Sequence, residues 1–312
     1  MKIRAIVLLA LFSTAALAQR PITILVPIPP GGAPDIAARV VAAKLSENIG
    51  QPVVVENRAG ANGNIATDLV AKAAPDGHTL GLLADSQITI NPHLYKMPLD
   101  TLRDLTPVTP VAVNQFVLTV NPSLPVRTFA EFIAYAKSAN PPLAYASGGN
   151  GSQHHLTMEM LKQRAGINLL HVPYKGGAPA ATATVAGETM AMWSGSSNAP
   201  QIKAGRLRPL AVSGGQRSAQ YPELPTIGEF YPGLENSIWL GLFGPANLPD
   251  GVLQRLRTEL RRVLESPEVK QKLNAAGGLD PYVASPEEFA TLIQRDYAKY
   301  AKVVKDIGIK LD

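Results

Sequence analysis

The chain has 312 residues, of which 46% are hydrophobic and 17% charged, and its formal net charge is +5. This length accommodates two domains, and the composition is that of a globular protein rather than a disordered one. The absence of cysteine excludes disulfide bonds, thiolate metal sites, a cysteine nucleophile and lipid attachment at a cysteine. The basic residues are scattered, and the basic run at residues 255–263 is interrupted by Glu259, so the charge does not indicate a nucleic-acid partner.

The start of the chain has the pattern of a secretory signal peptide. Lys2 and Arg4 precede an apolar run that ends in Ala-Leu-Ala at residue 18. The run is shorter than the roughly 20 residues that span a bilayer, although a retained membrane anchor is the alternative interpretation. We therefore expect residues 1–18 to be removed by cleavage after Ala18. The mature chain would be periplasmic, begin at Gln19 and have a net charge of 5 − 2 = +3.

Strand-like and helix-like segments alternate along the first part of the sequence. Apolar runs rich in β-branched residues predict strands at residues 22–27, 52–57 and 79–84. Helical periodicity predicts helices at residues 34–48 and 65–74. This βαβαβ order implies a parallel sheet with right-handed crossovers.

A second α/β series begins after two strand-like runs within residues 110–122, which are separated by Asn114 and Gln115. Its further predicted segments are helices at 129–139, 153–163 and after residue 177, and strands at 143–147, 169–174, 189–194 and 207–213. A further apolar run at 236–245 precedes predicted helices at 250–265, 267–275 and 286–306. We therefore predict a discontinuous first domain, residues 19–113 plus 236–312, with a second domain of residues 114–235 inserted into it.

The tetrapeptide Gly-Gly-Ala-Pro occurs twice, beginning at Gly31 and at Gly176. Each copy lies between a predicted strand and a predicted helix, and a third glycine-rich turn occupies residues 147–155. Helix N-termini present unpaired N–H groups and the positive end of the helix dipole, and together these bind a carboxylate or phosphate. Any single turn could be a tight connection without a ligand, and Asp35 could simply complement its helix dipole. Three such turns favour a cleft, across which the two Gly-Gly-Ala-Pro turns would face each other.

Catalytic motifs are weak or absent. Ser152 lacks the Gly-x-Ser-x-Gly context of a hydrolase nucleophile, because His154 occupies the position of the last glycine. His155 and Glu159 share one helix face, but neither a His-Glu-x-x-His motif nor an obvious third ligand accompanies them. Phosphate-loop and dinucleotide-binding motifs are also missing. We expect no catalytic residue, no metal and no cofactor.

Five motifs, in order along the chain, resemble the solute receptors of tripartite tricarboxylate transporters, also called the Bug family of periplasmic receptors. They are PPGGAPDIAAR, VVVENRAGANGNIATDLVAKAAPDGHTL, SGGNGSQHHLTMEML, HVPYKGGAPA and ELPTIGE…YPGLENSIWLGLFGP. The resemblance extends from about residue 21 to residue 312. It implies a type II-like periplasmic-binding-protein fold, in which two α/β domains enclose a carboxylate ligand in the cleft between them. Each domain would be a mostly parallel sheet flanked by helices.

The resemblance also implies which residues bind the ligand, largely through loop backbone from both domains. In the first domain they are Pro30, Gly31, Gly32, Ala33, Asp35 and Ser86. In the second domain they are Gly151, Ser152, Gln153, Tyr174, Gly176, Gly177 and Ser194. Many relatives have an acidic residue near position 194, where it could meet a ligand amine. The serine here disfavours an amino acid and leaves a mono- or dicarboxylate, aliphatic or aromatic.

Three functions from different classes are compatible with the sequence. The leading hypothesis is a monomeric extracytoplasmic receptor that captures a small organic carboxylate and delivers it to the membrane permease of a tripartite tricarboxylate-type transporter. A periplasmic sensor that presents its ligand-bound form to a signalling partner is the second, and the sequence does not separate it from transport. The third is a secreted hydrolase that uses Ser152 with His154 or His155, but no acid is placed to orient the histidine.

Overall fold

The fold is known from a computed structural model, which describes residues 20–218, 220–275 and 279–308. The predicted signal peptide, its cleavage site and Gln19 lie outside the described residues. Within those three ranges, no helix combines the length and the apolar character that crossing a membrane requires.

The described secondary structure follows the predicted alternation of strands and helices closely. The strands are β1 (Ile22–Val26), β2 (Val53–Asn57), β3 (Thr79–Ala84), β4 (Leu105–Gln115), β5 (Val117–Val120), β6 (Leu143–Ser147), β7 (Leu169–Pro173), β8 (Ala191–Ser194), β9 (Arg208–Val212), β10 (Ser237–Pro245) and β11 (Asp280–Pro281). The α-helices are α1 (Ala33–Ile49), α2 (Asn64–Ala71), α3 (Asn91–Leu94), α4 (Phe129–Ser138), α5 (Gln153–Ala165), α6 (Gly177–Ala186), α7 (Ala199–Lys203), α8 (Asp250–Glu265), α9 (Pro267–Ala275) and α10 (Pro286–Ile307). A π-helical turn at Ser86–Ile90 follows β3.

The first sheet has six strands in the order β11-β4-β10-β3-β1-β2. β1 is parallel to β2 and β3, whereas β10 is antiparallel to β3 and β4. Alternate residues of β1, Ile22, Ile24 and Val26, point to one face of the sheet. There they join a buried cluster with Val41 and Leu45 of α1. This packing fixes the start of α1 beside the carboxyl end of β1.

The second sheet has five strands in the order β7-β6-β8-β5-β9, around a core of large buried side chains that includes Phe132, Tyr145 and Trp193. β6 is parallel to β7 and β8, whereas β5 is antiparallel to β8 and β9. Both sheets are therefore mixed, although the sequence predicts mostly parallel ones. Every antiparallel pair of the described strands includes β4, β5 or β10, because these strands carry the chain from one sheet to the other.

The chain passes from the first sheet to the second at Phe116, between β4 and β5. The sequence predicts a break at Asn114 and Gln115, but both residues continue β4 and pair with Ile238 and Ser237 of β10. Cross-strand pairing thus overrides the local polar signal. The two sheets agree with a two-domain fold, while the domain limits near residues 114 and 236 remain a prediction.

Helix α10 joins the two halves of the molecule on one side. Its residues Tyr300 and Val304 form a buried apolar cluster with Ile90, Leu94 and Leu156. Leu156 belongs to α5, which follows β6 of the second sheet, whereas Ile90 and Leu94 follow β3 of the first. The two sheets are consequently held together along this side by packed side chains as well as by the crossing strands.

Candidate ligand-binding cleft

The three glycine-rich turns lie at the carboxyl ends of parallel strands. The first Gly-Gly-Ala-Pro turn connects β1 to α1, and the second connects β7 to α6. The glycine-rich turn of residues 147–155 connects β6 to α5. The carboxyl edge of parallel strands is where open α/β sheets bind their ligands. The structure therefore places the predicted turns at the edge of each sheet where binding is expected.

Asp35 holds the first turn in place. Gly31 has a φ of +92°, a left-handed conformation that side-chain-bearing residues rarely adopt. Its N–H donates to Asp35 Oδ2 at 2.9 Å, and Asn57 Nδ2 donates to Asp35 Oδ1 at 2.9 Å. Arg39 forms an ion pair with the same buried carboxylate at 2.9 Å. The Asp35 side chain thus contacts the protein on several sides, and its contact with a ligand remains a prediction.

Electrostatics at the first turn favour a charged Asp35 and leave the helix terminus available. Burial disfavours the ionised form, but hydrogen bonds from Arg39, the Gly31 N–H and Asn57 outweigh it, and the pKa of Asp35 is lowered. No described side chain caps the N-terminus of α1. The first N–H groups of this helix therefore form no hydrogen bond with a capping side chain, and the helix dipole favours an anion at this end.

The other two turns adjoin each other in the second domain. Gly176 has a φ of +112°, and its N–H donates to the Gly148 carbonyl oxygen at 3.1 Å. The Tyr174 N–H donates to the Ser147 carbonyl oxygen at 3.0 Å. Like α1, α6 begins without a side-chain cap among the described residues. Together the two turns form one surface at the ends of β6 and β7.

His154 lies at the junction of these two turns, although the sequence suggests it only as a partner of a hydrolase serine or as part of a weak metal-site candidate with His155 and Glu159. Its ring centroid is 4.5 Å from that of Phe116. Its Nε2 is 3.3 Å from the position that a Cβ on Gly177 would occupy. Burial lowers the pKa of His154 to about 4, so the imidazole is neutral at pH 7. No motif marks this position, and only the convergence of α5 and α6 reveals it.

Ser152 and Gln153 are engaged with the protein. Ser152 Oγ accepts the N–H of His155 at 3.3 Å and donates to the Gly149 carbonyl oxygen at 2.7 Å. The buried Gln153 amide donates to the Asp85 carboxylate. It also donates to the Tyr300 hydroxyl at 3.0 Å and accepts from Asn236 Nδ2 at 3.0 Å. Gln153 therefore links α5 to the first sheet and to α10, and its predicted contact with a ligand remains untested.

Of the three remaining predicted residues, Ser194 and Tyr174 form side-chain hydrogen bonds within the protein, whereas Ser86 forms one through its backbone. The Ser86 N–H donates to Asp85 Oδ1 at 2.8 Å, and the pKa of the fully buried Asp85 is raised by burial and by the nearby Asp296. Ser194 is fully buried, with its Oγ 2.7 Å from Thr119 Oγ1. The Tyr174 hydroxyl donates to Glu188 at 3.2 Å. A binding role for Ser86, Ser194 and Tyr174 thus remains a prediction.

A cavity of about 680 Å³ opens beside the first turn. Gly31 lines it from the first domain, and Pro200, Lys203 and Tyr221 line it from the second. Helix α6 contacts the segment Ser196–Asn198, which precedes α7. Sequence reasoning missed Lys203 and Tyr221 because no motif surrounds them. That the two Gly-Gly-Ala-Pro turns face each other across this space remains a prediction.

The arrangement of side chains suits binding better than catalysis. Ser147 Oγ lies 2.6 Å from His171 Nε2, but Ser147 is fully buried and its hydroxyl is out of reach of a substrate. The Ser152 hydroxyl is directed at a backbone carbonyl. Within the described ranges, no three His, Cys, Asp or Glu side chains are grouped so that they could hold a metal ion.

Two α/β domains with helix N-termini at the cleft define a solute-binding protein. The family profile described as "Tripartite tricarboxylate transporter family receptor" matches residues 37–309. The chain belongs to this family of transporter receptors. The resemblance predicted from five sequence motifs is confirmed, as is the two-domain periplasmic-binding-protein class of the fold.

Similar proteins match along almost the whole chain. BugT of Bordetella pertussis is 37% identical over 300 residues, which cover 94% of this chain and 90% of BugT. The structure of Rpa4515 of R. palustris with adipate has a TM-score of 0.87 at 34% identity, and the match covers 94% of this chain and 99% of that one. MatC of Rhodopseudomonas palustris with bound malate has a TM-score of 0.82 at 29% identity, covering 92% and 99%.

Proposed function

We propose that this receptor binds a small organic carboxylate in the cleft beside Gly31. The observation that carries the proposal is that Gly31, in the turn before α1, lines the cavity, and that neither α1 nor α6 has a side-chain cap. Their first N–H groups and dipoles favour an anionic group at these termini. The adipate bound by Rpa4515 and the malate bound by MatC support this ligand class, since both are dicarboxylates.

The proposed physiological role is delivery of the ligand to the membrane permease of a tripartite tricarboxylate transporter. The family description supports transport over presentation to a signalling partner. Export to the periplasm is supported by Lys2, Arg4 and the apolar run that follows them. Intact mass of the exported protein tests the leader. A mass that begins at Gln19 is expected, and a mass retaining residues 1–18 in the periplasmic fraction would contradict it.

We further propose binding without turnover. The paired serines at the cleft and the neutral, buried His154 support this, since neither forms a nucleophile with an oriented base. Incubating the protein with an acid that binds should return the acid unchanged. Loss of the acid, or stoichiometric metal in the purified protein, would favour the hydrolase alternative.

A thermal-shift screen tests the ligand class directly. The panel contains adipate, malate and benzoate, with a neutral sugar and an amino acid as comparisons. At about 100 times its dissociation constant, a ligand stabilises the fold by about 2.7 kcal/mol. We expect at least one carboxylate to raise the melting temperature and the neutral sugar to leave it unchanged. Stabilisation by the sugar or the amino acid alone would overturn the proposal.

A further inference from the structure

Two stacked histidines lie beneath the glycine-rich loop of residues 148–152. His155 Nδ1 accepts the Gly151 N–H at 3.0 Å. His171 Nε2 lies 2.6 Å from Ser147 Oγ, at the end of β6 where the loop begins. The two imidazole centroids are 3.8 Å apart, and their planes differ by 8°. A ring nitrogen of His155 therefore contacts the loop itself, and a ring nitrogen of His171 contacts Ser147, the residue before the loop.

The hydrogen-bond pattern requires a neutral His155 and fits a neutral His171. The Gly151 N–H is a donor, so His155 Nδ1 must offer a lone pair. The Gly149 N–H donates to Ser147 Oγ at 3.1 Å, which leaves the serine proton for an acceptor. His171 Nε2, at 2.6 Å, is the nearer acceptor for that proton than the Gly149 carbonyl oxygen at 3.1 Å. Protonating His155 at Nδ1 would set a donor against the Gly151 N–H, and protonating His171 would remove the acceptor nearest to the Ser147 hydroxyl.

The loop that these histidines support touches both the second turn and the first domain. The Gly148 carbonyl oxygen accepts the N–H of Gly176, immediately before α6, at 3.1 Å. The Tyr95 hydroxyl donates to the Asn150 carbonyl oxygen at 3.3 Å. A shift of the loop would consequently move the start of α6 and a contact between the two domains.

We propose that His155 and His171 are positioning residues for ligand binding. As a neutral stacked pair they fix the loop of residues 148–152, and protonation of the pair releases the loop and weakens binding. This inference rests on the proposed carboxylate-binding function. It extends that function to residues that touch no ligand, so the pair acts only through the loop backbone.

The surroundings of the pair keep it neutral at pH 7. Burial lowers the pKa of His155 to about 4, with a further lowering from His171, and burial also lowers the pKa of His171. The charged groups that face the pair are Glu159, which raises both pKa values, and Lys162, which lowers them. These two side chains are 2.8 Å apart and largely offset each other. Tyr145 stacks on His171 and donates its hydroxyl proton to Glu159.

Two variants of His155 separate the role of its hydrogen-bond acceptor, Nδ1, from the effect of protonating the ring. His155→Asn keeps an acceptor oxygen where Nδ1 lies and cannot be protonated, whereas His155→Leu removes the acceptor. Dissociation constants for adipate or malate are measured by calorimetry at pH 7 and at about pH 3.5, where His155, with its pKa of about 4, is mostly protonated. Dividing each variant's constant by the wild-type constant at the same pH cancels protonation of the ligand. His78→Asn serves as the control, because His78 precedes β3 of the first sheet and lies outside the loop of residues 148–152.

At pH 7 we expect His155→Leu to bind about tenfold more weakly, the effect of leaving one buried N–H unpaired. His155→Asn should bind within about threefold of wild type at pH 7 and more tightly than wild type at acid pH. His78→Asn should follow wild type at both pH values. Wild-type affinity in a folded His155→Leu, or the same pH dependence in His155→Asn and wild type, would overturn the inference.

A readout without ligand keeps this inference separate from the proposed function. Hydrogen exchange of the Gly151 amide is followed by NMR in the ligand-free proteins. Protection should be lost in His155→Leu and kept in His155→Asn. Equal protection in all variants would contradict the positioning role of His155. If no acid on the panel binds, the proposed function fails, whereas the Gly151 amide still tests the histidine–loop contact.

Discussion

Helices α4 and α10 begin with complete capping boxes, whereas α1 and α6 begin without a side-chain cap. At α4, Thr128 accepts the Glu131 N–H at 3.2 Å, and Glu131 accepts the Thr128 N–H at 3.2 Å. At α10, Ser285 and Glu288 form the same pair at 3.1 and 2.7 Å. Helices α2 and α8 also begin without a side-chain cap, so a bare terminus alone does not mark a binding site. Among the uncapped helices, α1 and α6 follow the two Gly-Gly-Ala-Pro turns, and we infer that their bare termini are available to an external anion.

The largest expected effect follows from covering the bare terminus of α6. Gly177 has no left-handed φ, and a Cβ there would lie 3.3 Å from His154 Nε2, a tight contact that a small shift of the imidazole must relieve in Gly177→Val. The added side chain should crowd the first N–H groups of α6 and weaken binding at least about 30-fold, or about 2 kcal/mol. Calorimetry measures the affinity, with circular dichroism as the control for folding.

A matching change at α1 sharpens this result. A side chain on Gly32 would meet only the end of the flexible Ile28 side chain, so Gly32→Val is a fair counterpart. Each single variant should lose most of its affinity, because closure of the cleft depends on both sides. The double variant should be little worse than either single one. Fully additive losses would show that the two turns act independently.

A smaller effect is expected from neutralising the anchor of the first turn. The lowered pKa of Asp35 means that its ionised form stabilises the fold above the unfolded-state pKa, and this stability is lost as pH falls through the folded-state pKa. Asp35→Asn should therefore cost about 1–2 kcal/mol at pH 7. Below the folded-state pKa the two proteins should converge. Urea denaturation at both pH values measures this, and an equal loss at both would contradict it.

The smallest expected effect comes from a capped helix. Ser285→Ala should lower the free energy of unfolding by about 1 kcal/mol, because it removes the cap of α10. Ligand affinity should stay unchanged, since this terminus holds no anion in our account. Thr128→Ala at α4 is the matched second case. A loss of affinity in either variant, measured by calorimetry, would show that a capped helix terminus also affects ligand binding and would contradict this expectation.

Local sequence signals predicted the helices and strands that shape the cleft. The strand, the two glycines and the proline of each Gly-Gly-Ala-Pro segment predicted a strand-to-helix turn, and β1–α1 and β7–α6 have that form. The sequence also assigns Asp35 the structural role of complementing its helix dipole. Such signals act over a few residues, so one sequence is enough to detect them.

Contacts between segments that are far apart along the chain could not be predicted from the sequence. Gln153 was assigned to ligand binding, but its amide bonds to Asp85 and Tyr300, which are far from it along the chain. Lys203 lines the cavity, and His154 lies beside Gly177 because α5 and α6 converge. Lys203 lies outside the quoted motifs, and the motif that contains His154 does not reveal this contact. These placements depend on tertiary packing, which a local pattern does not encode.

A crystal structure of the protein with the tightest-binding acid of the panel tests the central claim most directly. The account predicts one carboxylate group within hydrogen-bonding distance of backbone N–H groups in the first turn of α1, with contacts from the first turn of α6 on the other side of the same ligand. A ligand bound elsewhere, or held by side chains alone while both termini stay bare, would contradict it.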